Sequence, residues 1–171
     1  MALSNPTRTV VKAIAGEALE HGDVVHLIME QSNTSDGHYS AVKYDSADAD
    51  ILIGTYGVVD SGVDIASGDQ VSCVVAGMCD AKVFSLGLNI TVGMYLLIAD
   101  GGTTTLADGT FCTTNAHSDA GALSGNLDDA TKRLVFQSWV RAQVLHASTI
   151  TATATVNTIK VRVFNNPATP G

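Results

Sequence analysis

The chain has 171 residues, 46% hydrophobic but only 5% aromatic, with 17 acidic against 9 basic side chains for a formal charge of −8. A chain of this length buries roughly 70% of the surface its unfolded form exposes, so a core of Val, Ile, Leu and Ala suffices without disulfides or metals. The acidic balance repels phosphate with no Lys/Arg cluster to override it, and no apolar run approaches the ~20 residues that span a bilayer, which argues against nucleic acid and membrane as partners.

Residues Met1 to Thr9 contain Asn5-Pro6 and no periodicity, and read as an extended arm running into a strand near Arg8–Ile14. Gly16 to Asp23 is a compact excursion with glycine at each end, and Val24–Glu30 is β-branched enough to be a strand. A polar turn region, Gln31–His38, precedes a loosely alternating strand at Tyr39–Asp45, and Ser46–Asp50 is a small acidic loop or single helical turn. Ile51–Val59 and Gln70–Ala76 read as buried strands, with Gly77 separating the second from Lys82–Ser85. Gly93 opens a short strand at Tyr95–Ala99, and Asp100-Gly101-Gly102 signals a tight turn because glycine supplies the positive φ such turns need.

Periodicity fails over residues 107–133, which reads as a long surface excursion with one helical turn near Asp128–Lys132. It recovers where Leu134, Phe136, Val140, Ala142 and Val144 share a face, and again in Ile159–Val163, where Lys160 and Arg162 alternate with the apolar positions. Thr149–Thr155 alternates between two small residue types, and Asn165–Gly171, with Pro167 and Pro170, is a tail. Short strands, turns every ten residues or so and no helical periodicity of three turns predict a single all-β domain over 10–164, a barrel or a sandwich.

Glycine stands just before an apolar strand in Gly22-Asp23-Val24-Val25, in Gly68-Asp69-Gln70-Val71 and, without the aspartate, in Gly93-Met94-Tyr95-Leu96. Each reads as a tight turn, and in the first two the aspartate accepts from backbone N–H groups where the strand starts. Their spacings are unequal, which does not suit a solenoid repeat.

The succession Ala15-Gly16-Glu17-Ala18-Leu19-Glu20-His21-Gly22-Asp23-Val24-Val25, Gly57-Val58-Val59, Ala66-Ser67-Gly68-Asp69-Gln70-Val71 and Val75-Ala76-Gly77 resembles the capsid cement (decoration) proteins of tailed bacteriophages. Val92-Gly93-Met94-Tyr95-Leu96 and Ala99-Asp100-Gly101-Gly102 fit the same pattern, so the resemblance runs from about Ala13 to Leu106, with a weaker continuation at Trp139–Ala147. It implies a small all-β domain with a barrel or β-tulip-like core that assembles as a homotrimer. Such proteins bind the major capsid protein on the outside of an expanded head, where capsomers meet. Residues 107–133 and 149–171 depart from the pattern. The arm Ala2, Leu3, Ser4, Asn5, Pro6, Thr7, Arg8 and Thr9 is the candidate for ordering on the capsid, although the same composition suits a frayed terminus.

Catalytic and metal patterns are absent from the sequence. Gly121-Ala122-Leu123-Ser124-Gly125 lacks the Gly-x-Ser-x-Gly spacing of a nucleophile elbow, which leaves Ser124 a loop residue. His21, His26, His38, His117 and His146 show no metal-ligand intervals; His26 and His146 fall in strands and the others in loops. Asp45, Asp48 and Asp50 lack the glycine and closing glutamate of a calcium loop and read as a solvated acidic turn. Trp139, alone of its kind, suits core or a subunit interface better than a sugar platform.

Cys73, Cys79 and Cys112 form an odd set with no Cys-x-x-Cys pair, which points to a reducing compartment of synthesis. With no signal-like N-terminus, synthesis in a host cytoplasm is expected. The expectation is a structural virion protein on the capsid exterior, without catalysis, cofactor or metal. The alternatives are a glycan- or receptor-binding module of a viral fibre or adhesin, with 107–133 as its recognition loop, and a trimeric all-β nucleotide hydrolase, whose paired acids and phosphate cradle are missing.

Overall fold

The computed structural model describes residues 8–30, 38–44, 55–85, 89–98, 108–113, 140–146 and 155–164. Nine strands form among them: β1 (Thr9–Ala15), β2 (Val24–Glu30), β3 (His38–Lys43), β4 (Thr55–Val59), β5 (Gln70–Ser85), β6 (Tyr95–Ile98), β7 (Phe111–Cys112), β8 (Val140–Val144) and β9 (Thr155–Val163). The described residues contain no helix, and the all-β expectation holds.

Strand pairing closes twice. β1 lies parallel to β3, β3 pairs with β2, β2 with β4, β4 with the first half of β5, and β5 returns to β1, closing a five-stranded barrel. The second half of β5 then lies parallel to β7, β7 pairs with β6, β6 with β8, β8 with β9, and β9 returns to β5. Closure leaves no edge strand in either circuit, which removes the usual template for unwanted pairing. Of the two architectures the sequence allowed, the barrel is the one formed.

The second circuit repeats the first in strand order and direction, and in register apart from a shift between Leu96 and Leu97 in the second and one between Thr9 and Val10 in the first. Val11↔Cys73, Lys12↔Ser72, Ala13↔Val71 and Ile14↔Gln70 in the first correspond to Cys79↔Val161, Asp80↔Lys160, Ala81↔Ile159 and Lys82↔Thr158 in the second. Val24↔Val58 and Val25↔Gly57 correspond to Tyr95↔Gln143 and Leu96↔Ala142. The parallel pair Ala15↔Ala41 corresponds to Val83↔Phe111. β5 therefore ends one barrel and begins the next. Gly22 and Gly93, in cassettes whose unequal spacing concealed a repeat, hold equivalent positions.

Alternation sorts the core by barrel. Ala13, Ala15, Val25, Leu27, Ala41, Val59, Val71 and Cys73 point into the first barrel and form one buried cluster. Their neighbours Val24, Val58 and Val74 point outward, yet they are 0% exposed, because this outer face packs on the interior cluster of the second barrel with Val83, Leu96, Phe111 and Val161. Burying each valine contributes roughly 1.5–3 kcal/mol, so this junction is part of the core and not a hinge. A third cluster joins Phe84, Leu97 and Cys112, which alternate outward on the second barrel, to Val140, which the register shift after Leu96 pairs with Leu97 and so parts from Ala142 and Val144.

Several sequence expectations need correction. Gly77 does not separate two strands: it takes φ 104° inside the continuous sixteen-residue β5, where the chain passes from one barrel to the other. Residues 108–113 do not begin a surface excursion, since Thr110, Phe111, Cys112 and Thr113 are at most 2% exposed and β7 inserts between β5 and β6. A two-residue strand paired in parallel with a distant partner leaves no local periodicity to read. His38 begins β3 instead of ending a loop, and His146 is exposed just beyond β8. Ser46–Asp50, Gly101, Gly102, Ser124, His117, Trp139, the rest of 107–133, Thr149–Ala154 and the tail 165–171 lie outside the described residues.

Candidate functional site

The Gly22 and Gly68 cassettes converge at one end of the first barrel. The β1–β2 connection runs antiparallel to the β4–β5 connection and bonds to it at successive points. At its start Ala15 N–H donates to Asp69 O at 2.9 Å, Gly68 N–H donates to Ala15 O at 2.7 Å and the Ser67 hydroxyl to Gly16 O at 3.1 Å. In the middle Leu19 and Ile65 exchange both backbone bonds, at 2.9 and 2.8 Å. At its end Gly22 N–H donates to Val59 O and Val59 N–H to Asp23 O, each at 2.9 Å. His21, beside Gly22, accepts from Ser61 N–H at Nδ1 over 3.3 Å and is half-buried, so it pins the two connections together.

The two Gly-Asp turns share a backbone form and differ in their aspartates. Gly22 and Gly68 take φ 85° and 89°, a region that L side chains avoid. Asp69 is exposed. Asp23 is 1% exposed and accepts from Glu20 N–H at 2.8 Å, closing the turn from its own first residue and not from the strand as the sequence suggested.

Asp23 also anchors the contact between barrels. Lys82, from β5, donates through Nζ to Asp23 Oδ1 and to Glu20 Oε2, both at 2.6 Å, and Lys43 stands 3.5 Å from Asp23 Oδ2. Lys82 N–H donates to Gly22 O, and Val24 N–H to Gly109 O, each at 2.8 Å. Burial works against the Lys82 charge, but the hydrogen bonds it donates to Asp23 and Glu20, with their negative charges, outweigh it and hold its pKa above the ordinary value. The Lys82 hydrogen bond and charge hold the Glu20 carboxyl below its ordinary value. One buried carboxylate, satisfied on every side, thus ties the first barrel to the second.

Beside it lies an aromatic group that sequence reading missed. His26 stacks on Tyr56 with centroids 5.4 Å apart, Tyr44 meets Tyr56 edge-on at 5.9 Å, and the Arg141 guanidinium lies 5.9 Å from the Tyr56 ring centre. Burial lowers the Arg141 pKa. These side chains come from β2, the end of β3, β4 and β8, and only the alternation of His26 and Arg141 on their strands hinted that they face the same way.

Cys73, Cys79 and Cys112 are buried thiols with no disulfide between them. Burial pushes the Cys73 and Cys79 thiols up to about 12, which removes the thiolate that nucleophilic or metal chemistry needs. Among the described residues no group of three or more His, Cys, Asp or Glu could hold a metal ion.

Of the proposed capsid-binding arm, Ala2 to Thr7 lie outside the described residues. Thr9 already belongs to β1, opposite Ala76, and Arg8 forms an exposed ion pair with Asp60. The Gly93 turn of the second barrel repeats the Gly22 turn in an open setting: Gly93 N–H donates to Val144 O at 2.9 Å and Val144 N–H to Met94 O at 2.8 Å, as Gly22, Val59 and Asp23 do. Val92 and Tyr95 on that turn are 64% and 47% exposed.

No protein-family profile matches the chain, and no curated protein matches it. Among solved structures, the head fiber gp8.5 N base in bacteriophage phi29 is similar over 94% of this chain and 97% of that chain, with a TM-score of 0.45 and 14% sequence identity. A similarity at that level transfers neither fold nor function.

Proposed function

We propose that the chain is a structural virion protein, a capsid decoration (cement) protein. In this reading it binds the outer surface of the expanded phage head and reinforces the contacts between capsomers of the major capsid protein. The observation that carries the reading is the ordered set of cassettes from Ala15 to Gly77, the segments in which the sequence resembles cement proteins. Those segments supply the turns that fasten the first barrel shut and join it to the second. Resemblance concentrated at fold-determining turns supports a shared fold, and through it a shared role.

The mechanism is additive surface burial without catalysis or cofactor. A homotrimer presents several copies of one weak contact, and linked sites exceed a single site by roughly 10²–10⁴ in affinity. Two closed barrels sharing a strand and a common core make a body that adds stiffness where it docks. The arm Ala2–Thr9 is proposed to order on the capsid from Arg8 outward. Synthesis in the host cytoplasm and residence on the capsid exterior belong to the same reading.

Mixing the purified chain with expanded and unexpanded heads of its phage tests the proposal. Co-sedimentation with expanded heads is expected, and binding to neither particle overturns it. Deleting residues 2–7 should weaken binding while leaving the thermal midpoint unchanged. Binding to a glycan panel without binding to heads would favour the receptor-binding alternative.

A further inference from the structure

Strand β5 carries β1 and β9 end to end. Its side chains keep one alternation over both halves, with Val71 and Cys73 in the interior cluster of the first barrel and Cys79, Ala81 and Val83 in that of the second. The Ser72 carbonyl accepts from Asp60 N–H, just past β4, and the Phe84 carbonyl from Thr113 N–H, just past β7. In an alternating strand these even positions face one edge, so β4 and β7 share that edge and β1 and β9 share the other. There Thr9 stands opposite Ala76, and Val163 opposite the next residue, Gly77. Paired Cα atoms lie about 4.5–5.5 Å apart and consecutive ones about 3.8 Å, so the first residue of β1 and the last of β9 are no more than about 15 Å apart.

Each strand stops where the other holds the next position on β5. Arg8, before β1, is tied to Asp60, and Phe164, after β9, donates its N–H to Arg141 O at 2.8 Å with the Arg162 guanidinium over its ring. The charges of Arg8 and Lys160 both act on the Cys79 thiol, a second observation that sets the start of β1 beside the end of β9. The chain thus leaves the body twice at one place, into residues 1–7 and into 165–171. The two segments are alike in chemistry. Ser4-Asn5-Pro6-Thr7 and Asn165-Asn166-Pro167-Ala168-Thr169-Pro170 set proline after asparagine and threonine soon after, and neither 1–7 nor 165–171 holds Asp, Glu, Lys, Arg or His. The side-chain charge of −8 therefore belongs wholly to the body between them. Proline fixes its own φ, holds the residue before it extended and offers no N–H, so such a segment loses little entropy when laid along a surface. An acidic body with two uncharged ends meets a protein surface of either sign through those ends without repulsion.

We propose that residues 165–171 act with the arm 2–7 as a two-pronged anchor, both prongs docking on one patch of the major capsid protein beneath the meeting point of β1 and β9. This anchor rests on the decoration reading, and it names the part of the body that faces the head. Two segments with one origin share an effective concentration of about 1 mM at a common patch, so a prong whose own dissociation constant is about 0.1 mM raises affinity about tenfold.

The experiment is co-sedimentation of expanded heads with the full chain, with deletions of 2–7 and of 165–171, and with both deletions together. Each single deletion should weaken binding about tenfold and the double deletion about a hundredfold, with the thermal midpoint unchanged because β1 and β9 stay intact. A benzophenone amino acid in place of Thr7 or of Ala168, in the otherwise full chain, should cross-link on bound heads to the same or adjoining peptides of the major capsid protein. Undiminished binding by the 165–171 deletion, or cross-links from the two positions to separate parts of the capsid protein, would overturn the anchor and leave the decoration reading standing. A full chain that binds neither expanded nor unexpanded heads would overturn that reading, and the anchor with it. Should a deletion unfold the chain, the cross-links from the full-length protein decide alone, and their absence at Ala168 counts against the anchor.

Discussion

Gly22 and Gly93 take φ 85° and 86° at equivalent turns of two barrels, one against a neighbouring barrel and the other in the open. A Cβ on Gly22 would lie 3.3 Å from Lys82 N and 3.4 Å from Thr158 Cγ2, whereas on Gly93 it would meet nothing within 4 Å. Gly93→Ala therefore isolates the backbone cost of a left-handed alanine, about 1–2 kcal/mol. Gly22→Ala should cost about 1–3 kcal/mol more, the penalty of overpacking a fixed junction. Urea unfolding of the two variants checks the ordering; equal losses would mean that the barrels separate freely enough to absorb the methyl group.

Replacing Asp23 should cost more than replacing any other acidic residue described here. Asp23→Ala removes the acceptor for Glu20 N–H and leaves Lys82, whose side chain is 20% exposed, without its buried partner. A loss of about 2–3 kcal/mol is expected. Lys82→Met, which removes the charge and keeps most of the apolar stem, should cost less when made in Asp23→Ala than in the wild type. The coupling read from that double-mutant cycle measures the ion pair, and additivity of the two losses would deny it.

The sequence displayed strand content well and connectivity poorly, for physical reasons. Val24–Glu30 and Ile159–Val163 alternate or are β-branched over a full strand length, so period and composition agree. The duplication stayed hidden because the positions that define it are registers between strands. Val24 and Tyr95, or Val74 and Arg162, are equivalent in pairing and unlike in chemistry. The Asp23–Lys82 contact spans 59 residues and announces itself only as one aspartate after a glycine. Gly-Asp was legible as a turn, but that one aspartate is a buried anchor and the other an exposed residue depends on which barrel lies above it.

The charge cluster sets a pH window for stability. Lys82 has its folded pKa raised above the ordinary 10.5, so its contribution is complete below 10.5 and is lost as pH rises through the folded value. Glu20 has its folded pKa lowered from 4.5, so its contribution is complete above 4.5 and is lost as pH falls through the folded value. The Glu20 side chain is 58% exposed, and solvent screening makes its share the smaller. The urea midpoint of the wild type relative to Lys82→Met should be constant between these limits and fall on the alkaline side. A difference that grows with pH above 10.5 would contradict the assignment.

The three thiols should report unfolding and nothing else. Cys73 and Cys112 are 0% exposed and Cys79 7%, and burial pushes the Cys73 and Cys79 thiols up to about 12. A disulfide reagent at neutral pH attacks thiolate, which these two side chains scarcely provide even where a reagent reaches them. In the native protein all three should react at the rate at which the barrels open, and in denaturant all three should react at once. Cys73 lies inside the first barrel, Cys79 in the cluster shared by both, and Cys112 in the third cluster, alternating outward on the second. Mass spectrometry of partly labelled protein therefore reads which cluster opens first. If the shared core and the Asp23 anchor make the barrels one cooperative unit, species with one or two labels should never accumulate; a population labelled at Cys112 alone would show the second barrel opening by itself.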